Sequence, residues 1–478
     1  MRGRFSLGSS MVLCLLAAGA SFAGEPAALP DSVRAPAEKL RDGILAGSRA
    51  ADWVREITDA AGPRMPGTPG DRAGVAAAVA LLKAQGFAGV RAERVMVPAW
   101  ARGVETGEVT APSPHVLALT ALGGSVGTPP AGVEAEILRV ASLEELGARG
   151  EAVRGRIVFI DRPMSRTSDG TGYGDAAQVR SRGPSLAGRL GAVGVLIRSV
   201  GTDNNRLPHT GAMRYEKGVP QIPAAALSIP DAELLARLVR RGGPVRVRFT
   251  LGCHGIPDAE SANVVGEIVG RDKPDEIVLL GAHIDSWDLG EGALDDAAGC
   301  GIVIEAARQI AALPRRPHRT IRVVLFANEE AGLAGGKAYA EDHAAELERH
   351  VAAIESDLGQ GPPLGFSWDA GPNAAAPLKE IAALLAPIGA DHLAPGEAGG
   401  ADLSYLLPSG IPSFGMLQDA TQYFDYHHTA NDTFDKIDPK ILDRSTAALA
   451  ATAWVLAESS GVLERIPAEK RELPAWLR

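Results

Sequence analysis

The chain has 478 residues, at roughly 150 per domain enough for two or three domains, which excludes a peptide, a lone binding module and a small disulfide-stapled scaffold. Hydrophobic residues make up 46% and charged residues 22%, so wholesale disorder is excluded as well. The balance of 48 Lys+Arg against 58 Asp+Glu gives −10 with no basic block, which argues against nucleic acid as a partner.

At the N-terminus Arg2 and Arg4 precede the apolar run 11–20, and Ser21-Phe22-Ala23 supplies the small residues that a signal peptidase reads. The run is far short of the ~20 apolar residues that span a bilayer. Residues 1–23 are therefore expected to be an export signal, with the mature protein periplasmic or secreted and without a membrane partner. Cys14 leaves with the signal. Cys253 and Cys300 remain, and a disulfide or two buried thiols are both open.

Apolar periodicity predicts helices over 36–45, with Pro36 opening the segment, and over 51–60. A Gly- and Pro-dense turn cluster follows at 62–70, then a helix over 74–85 and a strand over 90–97. From 103 to 251 the character changes. Short apolar runs such as 157–160 and 193–197 alternate with Gly- and Pro-rich loops, which reads as an inserted β-rich domain over 104–254. The flanking stretches, 31–103 and 255–478, then form one discontinuous domain. Its second part alternates strands over 276–282, 320–327, 351–356 and 411–417 with helices over 297–313, 335–343, 374–385 and 441–459. Such alternation implies an α/β fold with a mostly parallel sheet flanked by helices.

Ligands of open α/β sheets bind beyond the carboxyl ends of the strands, and polar residues of one kind gather there. The first strand of this series ends at His283-Ile284-Asp285, the second at Glu329-Glu330 and the third at Asp357. Asp295-Asp296 lies in a Gly-rich loop before a helix, and His427-His428 follows the fourth strand. Carboxylates and imidazoles in this number suit a pair of borderline-soft divalent metals. Asp296 is better read as a cap of the following helix. The other seven histidines are assigned no role.

Five separated motifs, Gly281-Ala282-His283-Ile284-Asp285-Ser286-Trp287-Asp288, Gly292 to Gly299 with Asp295-Asp296, Asn328-Glu329-Glu330, Glu355-Ser356-Asp357 and Tyr426-His427-His428-Thr429, resemble those of the co-catalytic zinc metallopeptidase family 28. The resemblance implies the zinc aminopeptidase fold, a protease-associated domain for the insertion, and two Zn2+ per chain. It implies that Asp295 bridges the metals, with His283 and Asp357 on one and Glu330 and His428 on the other. His428 is taken over His427 because the family's ligand is followed by Ser or Thr, as Thr429 follows here. Asp285 is expected to support the His283 imidazole, and Glu329 to remain as general base. Three carboxylates and one hydroxide would offset the charge of two Zn2+.

Peptide hydrolysis needs a hydroxide at neutral pH and stabilisation of an oxyanion, and a metal pair provides both. One carboxylate must stay off the metals to carry the proton to the leaving amine. Adjacent residues ending an extended strand point to opposite sides, a basis for dividing these duties between Glu329 and Glu330. The expected activity is exopeptidase cleavage of dipeptides or short peptides. A broad aminopeptidase and a catalytically inactive binding or receptor protein are the alternatives, and the resemblance also suggests a homodimer. Tyr405, Tyr423, Tyr426 and Asp402 are weaker candidates for groups near the site.

Overall fold

In a computed structural model, which describes residues 29–396, 399–474 and Leu477, the apolar runs after residue 263 become the middle of an eight-stranded sheet. The order is Ala88–Ala101, His254–Ile268, Arg319–Phe326, Lys273–His283, His350–Glu355, Ser413–Gln418, Pro363–Asp369 and His392–Pro395. The four strands from Arg319–Phe326 to Ser413–Gln418 run parallel, and antiparallel pairs adjoin them on both sides, so the sheet is mixed. In the parallel register His283 stands beside Phe326 and Gly281 beside Glu355, which brings the carboxyl ends of these strands to one edge.

One face is covered by the helices Asp31–Leu45, Ala50–Ala61, Ala298–Ala311, Ala375–Leu385 and Pro439–Glu458, which share the largest apolar core. Tyr339, Leu403 and Leu406 cover the other face. The first helix starts at Asp31 rather than 36, so Pro36 lies inside it. A proline there costs about 3 kcal/mol. Burying Val33, Leu40 and Ile44 outweighs this at about 1.5–3 kcal/mol each.

A second eight-stranded sheet is built wholly from strands between Glu105 and Leu251. It is less purely β than its sequence suggests, because the helices Leu143–Arg149, Thr171–Arg189 and Ile229–Arg240 pack on it. The longest of these is rich in Gly and polar residues and shows little periodicity; burial of Ala176, Val179 and Ala187 holds it. Cys253 and Cys300 are buried free thiols. The expected export signal lies outside the described residues. Among those described, no helix is long and apolar enough to cross a membrane.

His350 opens the strand that leads to Asp357. Its Nδ1 lies 3.1 Å from the Glu346 carbonyl and its Nε2 2.8 Å from the Tyr339 hydroxyl, and burial holds its pKa down at about 4. The native state therefore keeps this ring neutral, whereas the unfolded chain protonates it near 6.5. Stability is full above pH 6.5 and falls as the pH drops towards 4, by roughly 3 kcal/mol. His350→Gln is expected to flatten that acid limb, which urea unfolding at pH 7 and pH 4.5 would measure.

Candidate metal centre

His283 ends its strand with Nδ1 3.1 Å from the Asp285 carbonyl, so its Nε2 faces the strand-end edge. There Nε2 meets Asp295 Oδ1 at 3.1 Å and Asp357 Oδ1 at 3.3 Å. The other Asp295 oxygen, Oδ2, lies 3.4 Å from His428 Nε2 and 3.6 Å from His427 Nε2. His428 Nε2 is also 3.0 Å from Glu330 Oε2. One carboxylate thus stands between two imidazole and carboxylate pairs, His283 with Asp357 and His428 with Glu330.

Asp432 anchors the backbone on which Asp295 stands. The Asp295–Asp296 peptide bond is cis. Asp432 Oδ1 accepts from the Leu294 N–H at 2.6 Å and Oδ2 from the Asp295 N–H at 3.1 Å, holding the turn from below. Asp296, His283 and Asp357 can also bring donor atoms together. The oxygens of Asp296 accept from the backbone N–H groups of Gly299, in the first turn of the following helix, at 2.9 Å and of His283 at 3.2 Å; the N-cap position itself is Ala297.

Glu329 and Glu330 do not end a strand. The strand stops at Phe326, Asn328 turns in the left-handed region at φ 63°, and both acids stand on the one-turn helix Glu329–Gly332. Their different directions come from helical geometry rather than strand alternation. The hydrogen bonds of the Asp285 carboxylate go to the helix of the two acids. The carboxylate accepts from the backbone N–H groups of Glu329 at 3.0 Å and Glu330 at 3.3 Å, and lies 3.7 Å from His283 Nδ1. It thereby ties the helix of the two acids to the strand of the histidine.

Burial, together with the charge of Asp357 on Glu329 and of Asp295 on Glu330, pushes both glutamates well above the usual carboxylate range. Burial also raises Asp357. Asp295 is the exception: burial opposes its charge, but hydrogen bonds from His283 and His428 hold it well below the usual range. Among the described residues no lysine or arginine forms an ion pair with Asp295, Glu329, Glu330 or Asp357, and Glu330 Oε1 is buried without a partner. Crowded acids with orphaned oxygens and no cation form a donor set that divalent metals fit.

His427 differs from its neighbour. Its ring stacks on His428 at 3.5 Å between centroids, sits among Tyr173, Tyr423 and Phe424, and has a buried Nδ1 without a partner. Of the weaker candidates, Tyr423 is buried beside His427 and Tyr426 lies under the Lys436 ammonium. Tyr405 stands in the 3-10 stretch Asp402–Ser409. Asp402 is buried with both carboxylate oxygens unpartnered, next to Glu355. Sequence reasoning passed over Asp432 and the segment around His209 and Thr210, which reaches the histidine pair from the second sheet. Asp432 follows the His-His-Thr motif closely enough to have been considered; nothing local marks His209.

The family described as Peptidase family M28 matches residues 263–453, the segment that carries all five metal-ligand candidates. Carboxypeptidase Q of Bos taurus is 37% identical over 421 residues, covering 88% of each chain. The crystal structure of a peptidase M28 precursor from Shewanella amazonensis superimposes with a TM-score of 0.89 at 45% identity, over 91% of this chain and 99% of that one. A zinc aminopeptidase from Bacillus subtilis shares the fold at 20% identity, with a TM-score of 0.62 over 87% of this chain and 97% of that one. Identity above one third, sustained over most of both chains, is more than a shared fold requires, and the chain belongs to peptidase family M28.

Proposed function

We propose that this peptidase is an exported two-zinc exopeptidase that cleaves dipeptides or short peptides. The observation that carries the reading is the position of Asp295, whose two oxygens face His283 on one side and His428 on the other. In this reading His283 and Asp357 would hold one Zn2+ and Glu330 and His428 the other, with Asp295 shared between them. When bound, such a pair supplies an acidified water and a Lewis acid for the scissile carbonyl.

The chain's own groups do the rest. Asp285 fixes the helix of Glu329 and Glu330 through their backbone N–H groups. Glu329 takes the proton of the attacking water and returns it to the leaving amine, a task suited to a carboxylate whose pKa burial raises well above the usual range. The second sheet's segment, residues 104–254, is read as a protease-associated domain. It places Tyr173 and Thr210 against the histidine pair, and this lid-like position favours short substrates.

The test is zinc content together with a substrate panel. Two zinc per chain and cleavage of unblocked dipeptides that chelation abolishes are expected. Cleavage that tolerates a blocked carboxyl end and longer peptides would make the enzyme an aminopeptidase. Zinc without turnover on any member of the panel would leave a binding protein.

A further inference from the structure

The second sheet's domain does more than lie over the histidine pair. The Thr210 N–H donates to the His428 carbonyl at 3.0 Å, and the Thr210 carbonyl lies 3.3 Å from His428 Nδ1. Beside it His209 is buried, with Nδ1 2.7 Å from the His427 carbonyl and Nε2 2.8 Å from Asp203 Oδ1. Its own N–H donates to Ser199 Oγ at 2.9 Å. Gly201 faces the ring so closely that a Cβ there would lie 2.3 Å from Cε1, so the site needs glycine beside the imidazole.

These contacts matter because of the backbone they hold. His428 has φ 62°, in the left-handed region, at a cost of roughly 1–2 kcal/mol for a residue with a side chain. Such a conformation persists only where its surroundings over-determine it. Here the His427 carbonyl is engaged by His209, and the carbonyl and Nδ1 of His428 by Thr210, both on a loop of the second sheet's domain.

We propose that His209 is a positioning residue for metal binding. By gripping the His427 carbonyl it holds the left-handed turn that aims His428 Nε2 at Glu330 and Asp295, so the second domain is part of the metal centre. The proposal rests on the reading of His428 as a zinc ligand. Outer partners that orient a ligating imidazole are worth about 10–100-fold in metal affinity. By linkage, loading of that zinc and docking of the domain support each other.

The test is zinc affinity of the full chain by competition with a chromophoric chelator. His209→Ala is expected to weaken one of two zincs by roughly 10–100-fold and leave the other at parent affinity. His209→Asn, whose amide nitrogen can stand where Nδ1 does, is expected to recover most of the loss. Asp203→Ala is expected to weaken the same zinc by a smaller factor, and decides the matter if His209→Ala does not fold. Parent-like affinity for both zincs in a folded His209→Ala, or in Asp203→Ala, overturns the proposal, as does an equal loss in His209→Asn. A parent protein that binds no second zinc instead overturns the assignment of His428 on which the proposal rests.

Discussion

Glu329→Gln is expected to lower turnover by roughly 10²–10⁴-fold while zinc content and thermal stability stay at parent values. Glutamine keeps the size of the side chain, and the backbone N–H that binds Asp285 is unaffected. What it loses is the ability to take a proton. Among the described residues no ion pair engages Glu329, and burial, with the charge of Asp357, raises its carboxyl well above the usual range. Single-turnover measurements on a dipeptide, with zinc counted in the same preparation, would show this. A near-parent rate would remove Glu329 from the mechanism.

Asp295→Ala should be the more damaging change, because it strikes both proposed zincs. Its two oxygens face His283 and His428, whereas among the described residues the imidazole paired with Glu330 is His428 and that paired with Asp357 is His283. Glu330→Ala is therefore expected to lose one zinc, and Asp295→Ala to hold neither through dialysis. Lewis-acid stabilisation is worth several kcal/mol, so activity should fall by at least about 10³-fold. Zinc per chain, measured on the two variants side by side, separates them. Equal zinc loss in both would mean that Asp295 is not shared.

The strands of the main sheet were legible because they are short, apolar and bounded by turns. Their limits over 276–282, 320–327 and 351–356 agree with the observed Lys273–His283, Arg319–Phe326 and His350–Glu355 to within a few residues. The strand His254–Ile268 was not, since the half from His254 to Glu260 is largely exposed and carries no apolar alternation. Thr171–Arg189 was missed for a related reason: its helix is stabilised by what it packs on, not by its own propensity. The displacement of Glu329 and Glu330 from a strand end to a one-turn helix hangs on the left-handed Asn328, a backbone choice that residue type alone does not dictate.

For the site, the donor types and the strands they follow could be read along the chain, because in a parallel sheet with helical crossovers every carboxyl end arrives at the same edge. Folding adds the pairing. That Asp295 faces two imidazoles, that Asp285 serves the helix of the glutamates, and that His427 and His428 stack yet part in their contacts are all outcomes of distances between segments remote in sequence. His209 and Thr210 belong wholly to this second kind. Nothing near them in the chain distinguishes them, and they gain a role only because the second sheet packs where a strained histidine turn needs to be held.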